Sequence, residues 1–386
     1  NQLPKKYTEL RNEISTYPKN DFAKEIFWYT NNFIELHEHV NTFLKMQNTF
    51  ECNFLAGNYI DARKSLEQIE QIVCVSQWGI EKNLLLGEYE TGFKRNKEIL
   101  TEIIDNQNNQ LTNLLSKYQS IRVEKNLSYF KYEEIIQKLI NPYKDISAKE
   151  YLYFKLDFFN QLIYSNKGFI LNIENPSSLI DKYESFIQLI LLSLSENDIS
   201  DETLDIIKGS LNKLIDVVED NRIINSLLSL GEKPQINVNN PNLIFLKIID
   251  LYSCGKYDSA INELRLFLPT NANQFDLYEI YIRSIIFSNK EFVNLFNPDT
   301  IAGKCLESLY NIFSKNEKTQ TSLIQSEKIY NSIGNCTWSY KYFTLIKSEY
   351  SVNHDFVNTL KYSSLSSQHF NPSIALYIKD KTTLKY

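Results

Sequence analysis

Glycine and proline are scarce in this chain. Its 386 residues include 10 glycines and 9 prolines, although these two residue types mark most tight turns. A fold of many short strands needs such turns at frequent intervals, whereas long helices do not. We therefore predict an all-α fold with negligible β-structure, in which only residues 168–172 have some strand character.

An excess of positive charge is also missing. The chain has 41 Lys and Arg residues against 47 Asp and Glu, a formal net charge of -6, and a pI of about 5.5. Proteins that bind nucleic acids usually carry a basic surface that displaces counterions from the phosphates. Nucleic acid is therefore not expected as a direct ligand.

Complete catalytic motifs are absent as well. The sequence has no Gly-x-Ser-x-Gly elbow, no phosphate-binding Gly-Lys-Ser/Thr loop and no Gly-x-Gly-x-x-Gly. His37 and His39 are two residues apart on a predicted helix, so they point in different directions and cannot chelate one ion. We predict no catalytic residue, cofactor or metal, and a protein that is not an enzyme. The three tryptophans lie on apolar stripes and are predicted to be core residues: Trp28, Trp78 and Trp338.

Long apolar runs are lacking too. The most apolar run, residues 186–194, contains Gln188 and Ser193 and is far shorter than the ~20 residues of a membrane-spanning helix. The chain opens at Asn1 without a basic-then-apolar leader, which indicates a trimmed start or a piece of a longer protein. The five cysteines form no Cys-x-x-Cys pair, as is usual for reduced thiols. We expect a cytoplasmic protein with no membrane contact.

One pattern recurs among the residues that are present. Gly255, Tyr257 and Ala260 follow the order Gly-x-Tyr-x-x-Ala. Glycine ends a helix in the left-handed conformation, and alanine lets a neighbouring helix approach closely. The same order recurs near residue 57 and, with Gly92 in place of the alanine, near residue 87. The predicted turn residues are Gly57, Tyr59, Ala62, Gly87, Tyr89, Gly255, Tyr257 and Ala260.

These stretches resemble the helix-turn-helix unit of tetratricopeptide repeats. Pro269 occupies the position of the terminal proline of that motif, but no strict 34-residue period runs through the chain. The resemblance implies a superhelical array of antiparallel helix pairs, a degenerate tetratricopeptide-repeat-like α-solenoid.

A polar loop indicates the domain boundary. Residues 231–241 contain one glycine and two prolines with few apolar side chains, a composition typical of a connection. We predict an N-terminal helical domain at residues 1–232, with repeat-like units near 48–105, a linker at 233–241 and a C-terminal repeat-like domain at 242–386.

Stacked helix pairs form grooves that bind peptides or proteins. Five cations in or just after the second helices of the N-terminal units are predicted to form a basic patch for an acidic partner: Arg63, Lys64, Lys94, Arg95 and Lys97.

Three functional hypotheses follow from this architecture. The first is a non-enzymatic scaffold, adaptor or sensor subunit that binds a protein or peptide, for example within a hetero-complex. The second is a divergent helical hydrolase of nucleic acids or nucleotides. The third is a bacterial regulatory or anti-phage defence component that senses a peptide or a foreign protein.

Overall fold

The regular structure of this protein is helical. The computed structural model describes residues 3–11, 21–125, 127, 129–156, 166–194, 199–232 and 242–314. No strand occurs within these residues, and the all-α prediction is confirmed. Residues 168–172, to which we assigned strand character, lie inside the helix Lys167–Glu174. Trp338 and the C-terminal part of the predicted second domain lie outside the described residues.

The described part of the chain contains sixteen α-helices. The first eight are α1 (Phe22–Glu35), α2 (His37–Leu55), α3 (Tyr59–Gln68), α4 (Gln77–Glu90), α5 (Phe93–Asp105), α6 (Gln110–Arg122), α7 (Tyr129–Ile140) and α8 (Ile146–Leu156). The others are α9 (Lys167–Glu174), α10 (Leu179–Leu194), α11 (Asp201–Ile215), α12 (Asn221–Ser229), α13 (Asn242–Ser253), α14 (Tyr257–Phe267), α15 (Phe275–Phe287) and α16 (Ile301–Ser314). None of these helices combines the length and the apolar character that crossing a bilayer requires.

Polar residues fix where several helices begin. A side-chain oxygen directly before the helix accepts a backbone N–H that has no partner within the first turn, which stabilises the helix start by roughly 1 kcal/mol. The helix that contains residues 168–172 begins in this way, since Asn166 accepts the N–H of Phe169 at 3.1 Å. The other residues with this role include Asp21 before α1, Ser76 before α4, Asn109 before α6 and Ser200 before α11.

The chain divides into two compact units. The core of the first unit, which takes the described residues 3–47 and 63–232, is centred on α1. Tyr29 and Phe33, one turn apart on α1, are fully buried and meet the rings of Tyr183 and Phe186 on α10 at centroid distances of 5.1 to 6.0 Å. These rings fill the inner face of α1. The adjacent Trp28 is 45% exposed, so its assignment to the core was wrong.

The packing of α1 differs from that of a simple repeat array. Helix α1 contacts α9, α10 and α11, which lie far away in sequence. In a solenoid each repeat contacts mainly its sequence neighbours. Neighbouring helices do pair elsewhere, as α4 does with α5 and α13 with α14. The superhelical array therefore stays a prediction.

The second unit takes the described residues 48–62 and 242–314. Its helices α13 to α16 pack in chain order. Asn273 donates hydrogen bonds from Nδ2 to Asn48 Oδ1 at 2.9 Å and to Glu51 Oε2 at 2.8 Å. Residues 48–62 thus belong to the second unit, whereas we had placed them in the N-terminal domain. These long-range contacts join segments more than 200 residues apart, and no local pattern encodes them.

Two of the predicted turn glycines end helices. Gly57 has a φ of 79° and Gly255 a φ of 71°, a backbone region that other residues enter only at an energetic cost. Gly255 connects α13 to α14, and the ring of Tyr257 lies 5.8 Å from that of Tyr252 across this turn. Ala62 and Ala260 are fully buried.

Gly87 has a different role from the one we predicted. Gly87 and Tyr89 lie within α4, and the turn that follows is made by Gly92, whose φ is 94°. A Cβ on Gly87 would lie 2.5 Å from Cδ1 of Ile99 on α5. Position 87 requires a residue without a side chain because α5 packs closely there. The same Gly-x-Tyr pattern therefore serves helix packing at this position instead of a turn.

Candidate partner-binding surface

The five predicted cations lie on two helices of the chain. Arg63 and Lys64 lie on α3, and Lys94, Arg95 and Lys97 lie on α5. Arg63 joins α3 to α4, because its guanidinium donates to both oxygens of Glu90 at 3.0 and 2.6 Å. A bidentate pair of this kind holds the side chain in one geometry. The main role of Arg63 is therefore to hold α3 against α4.

Lys97 joins α5 to α6 in a similar way. Its Nζ lies 2.6 Å from Glu124 Oε1 and 2.8 Å from Ser120 Oγ. The same Nζ lies 4.9 Å from the centroid of the Phe93 ring, within the range of a cation–π interaction. Lys97 thus supports the position of Phe93.

The other cations of α5 lie closer to solvent. Arg95 Nη1 lies 3.4 Å from Glu98 and 3.3 Å from Glu102. Lys94 Nζ lies 3.9 Å from Glu98, and the Lys94 side chain is 91% exposed. Exposed pairs of this kind contribute about 0–1 kcal/mol each. These carboxylates offset much of the positive charge that we predicted, so the surface carries both signs.

A shallow depression covers the outer face of α5, which we call the α5 surface. Its lining includes Phe93, whose side chain is 57% exposed. Ile104 on the same helix is 37% exposed and is counted with this surface. Single exposed apolar side chains are common on protein surfaces. Here they lie beside charged groups, as they do at the rim of a contact surface. The α5 surface consists of Phe93, Lys94, Lys97, Glu98, Thr101, Glu102, Ile104 and Asp105.

The charges of α5 run against its helix dipole. Lys94 and Arg95 lie in the first turn, and Glu102 and Asp105 lie in the last. The partial charge of a helix is positive at its N-terminus and negative at its C-terminus, so each such placement costs about 0.3–1 kcal/mol. Gly92 before the helix provides no side-chain cap either. Local rules of this kind are broken most often where a function requires it.

Sequence reasoning found the cations of this surface and missed the rest. Phe93, Glu98, Glu102 and Asp105 were not singled out, although the spacing of Lys94 to Glu98 is that of neighbours on a helix face. A second signal of this surface in the sequence was the apolar Phe93 at the first position of α5. The binding of a partner to the five cations stays a prediction.

Glu174 is the centre of a buried ionic cluster in the first unit. Its side chain is 0% exposed and lies 2.9 Å from Arg11 Nη2 and 3.5 Å from Lys155 Nζ. The hydroxyls of Tyr151 and Ser177 donate to it at 2.6 and 2.9 Å. Burial alone would raise the pKa of Glu174, but Arg11 and Lys155 outweigh burial and lower this pKa to about 2. Side chains from several separate segments of the chain hold the Glu174 carboxylate, so the cluster stabilises the fold.

In the part of the chain that the structure describes, no group of three or more His, Cys, Asp or Glu side chains is arranged to hold a metal ion.

Comparisons with known proteins add one relative. No protein-family model matches the chain, and no solved structure matches it. Among curated proteins, the chain is similar to the Detocs histidine-protein kinase DtcA of Enterobacter cloacae (strain JD6301), at 24% identity over 316 residues. The similarity covers 81% of this chain and 27% of the relative. The chain thus spans about a quarter of the length of that protein.

This similarity contradicts one of our predictions. We expected a protein that is not an enzyme, on the ground that no catalytic motif is complete. The relative is named as a histidine-protein kinase, and kinases are enzymes, so that prediction was wrong. The similarity covers only 27% of that protein, so motifs in this sequence carry no information on the rest of its length.

Proposed function

We propose that this chain is the sensing region of a bacterial signalling protein related to histidine-protein kinases, and that it acts in defence against phages. The observation that carries the proposal is the similarity to DtcA over 81% of this chain and 27% of the relative. Detocs, in the relative's name, is an anti-phage system. The third hypothesis drawn from the sequence is a bacterial regulatory or anti-phage defence component that senses a peptide or a foreign protein, and the proposal adds the relation to a kinase.

The packing of the chain supports a sensing role. Helix hairpins present long, rigid faces to solvent, and such faces bind proteins through many modest contacts. The α5 surface is a face of this kind, with two exposed apolar side chains and charges of both signs. Its charge order costs helix stability, which argues for a contact that recovers the cost.

A sensing region changes the output of a kinase only if its trigger binds two states with different affinity. A tenfold shift of the equilibrium needs about 1.4 kcal/mol of differential binding. A contact surface of one or two helices can supply that amount, since a few buried side chains dominate most interfaces.

The proposal is tested in bacteria that express the full-length protein encoded by the gene of this chain. One strain carries the intact gene and another carries an in-frame deletion of the 386 residues, with expression checked by immunoblot. We expect the intact gene to lower the plating efficiency of at least some phages, and the deletion to remove this protection.

A biochemical readout separates sensing from catalysis. Phosphorylation of the purified full-length protein is followed with labelled ATP, with and without lysate of infected cells. We expect infected lysate to change phosphorylation in the intact protein but not in the deletion variant. Protection or lysate response that persists after the deletion would refute the proposal.

A further inference from the structure

Two apolar side chains lie at opposite ends of the same face of α5. Phe93 is 57% exposed and Ile104 is 37% exposed. They are eleven residues apart, which corresponds to about three helical turns of 3.6 residues each. Their side chains therefore lie on the same side of the helix, one at each end, with about 16 Å of helix between them.

Two opposite charges follow the same spacing. Lys94 and Asp105 are also eleven residues apart, and both are exposed. They lie on the side of α5 opposite to the buried Ile99 and Ile103. On this face the charge is positive at Lys94 at the start of the helix and negative at Asp105 at its end, and Glu98 lies one turn after Lys94.

We infer that the α5 surface binds the α5 surface of a second copy of this chain, with the two helices antiparallel. In that arrangement Lys94 of each copy lies opposite Asp105 of the other, and Phe93 lies beside Ile104. A two-fold axis produces every contact twice, as in other isologous dimers. Thr101, near the middle of the face, is small enough to let the two helices approach.

The charge order selects a second copy over an ordinary helix. Most helices carry acids in the first turn and cations in the last, because the dipole favours this. Such a helix would meet like charges if it lay antiparallel to α5, and parallel packing would align the two dipoles. A second α5 combines opposite charges with opposed dipoles. The inference deepens the proposed function, because it names the partner of the α5 surface and makes self-association a part of sensing.

The expected dimer is weak. Helix α5 has 13 residues, and one helix face buries less than the ~1,200–2,000 Å² that stable interfaces bury. A reversible dimer suits a sensing region, since a modest signal shifts its equilibrium.

Sedimentation velocity of the purified 386-residue chain tests the inference over concentrations from low micromolar to near-millimolar. We expect the mean sedimentation coefficient to rise from that of a monomer toward that of a dimer. Lys94→Glu and Asp105→Lys should each weaken association by about tenfold, because each variant alone places like charges together twice.

A mixture of the two variants is the decisive measurement. When Lys94→Glu and Asp105→Lys chains are mixed in equal amounts, both charge pairs between unlike chains are again of opposite sign. The mixture should recover association close to that of the unaltered chain. Lys117→Glu on α6 and Asp216→Lys after α11 make the same charge changes at other exposed positions, and should leave association unchanged.

Several outcomes would overturn the inference: a chain that stays monomeric throughout, a dimer insensitive to both variants, or a mixture that does not recover. Circular dichroism verifies that each variant remains folded.

Phage protection by the full-length protein with the same substitutions separates this inference from the proposed function. A monomeric chain whose variants lose protection means that the α5 surface binds another protein, so the inference fails and the proposed function stands. If the chain dimerises with the expected charge-swap recovery but the protein protects equally well without this region, the inference stands and the proposed function fails.

Discussion

Glu174 illustrates how single residues stabilise this protein. The carboxylate is fully buried, and its charge is held by Arg11, Lys155 and two hydroxyl groups. Arg11 reaches it from a backbone position with a φ of 55°, which is uncommon for a residue other than glycine. Removing one partner of a buried ion pair leaves the other charge without compensation, and costs about 3–5 kcal/mol.

The pKa of Glu174 predicts a pH dependence of stability. Burial acts to raise this pKa, but Arg11 and Lys155 lower it from 4.5 to about 2 in the folded state. The stabilisation is therefore complete above pH 4.5 and is lost as the pH falls toward 2. We expect Glu174→Gln to lower the free energy of unfolding at pH 7 by ~3 kcal/mol, and to flatten its dependence on pH below 4.5.

Urea unfolding at pH 7 and pH 3 measures both effects. Glu134→Gln is the matched control, because Lys131 and Lys138 also lower the pKa of Glu134 to about 2, but on an exposed helix face. Solvent screens that pair, so its removal should change stability little. Equal losses in the two variants would contradict the account of Glu174.

At the scale of the helix, glycines that look alike in sequence have different surroundings. Gly209 lies in α11 and Gly303 in the first turn of α16. A Cβ on Gly209 would meet no atom within 4 Å, whereas a Cβ on Gly303 would collide with the backbone carbonyl group of Asn297. Backbone atoms cannot move aside as the end of a side chain can.

These surroundings predict opposite effects of the same substitution. Gly209→Ala should raise the free energy of unfolding by up to ~1 kcal/mol, because alanine favours the helix. Gly303→Ala should lower it by ~1–3 kcal/mol through overpacking. Thermal and urea unfolding of the two variants check the signs. If both substitutions change the free energy of unfolding in the same direction, helix propensity decides stability at these positions and the contacts of the added Cβ do not.

At the scale of the whole molecule, chain order and compact units do not coincide. Residues 48–62 belong to the second unit, where Asn48 and Glu51 accept hydrogen bonds from Asn273. Gly57 lies there against Thr300, whose Cγ2 would be 3.0 Å from an added Cβ. A cut at the predicted linker separates these partners.

If residues 233–386 formed a complete domain, a fragment of them would keep all of its stabilising contacts. We expect instead that this fragment is less stable, because residues 48–62 are missing from it. Losing these hydrogen bonds and contacts costs ~1–3 kcal/mol, which corresponds to a decrease of about 5 °C in melting temperature. Adding a separately expressed fragment of residues 1–232, which contains 48–62, should recover part of the loss. Equal melting temperatures with and without that fragment would refute this assignment of residues 48–62.

The sequence alone determined the fold class, because scarce glycine and proline and helical periodicity are local properties. The positive φ values of Gly57 and Gly255 follow from the same kind of local signal. Only the tertiary structure decided that Gly87 serves packing, that Trp28 faces solvent and that residues 48–62 join the second unit. Each of these depends on which distant helix lies opposite, and a single sequence does not encode that in any local pattern. The five cations were predicted from the sequence, but their carboxylate partners and the reversed charge order of α5 became evident only when the helix faces were known.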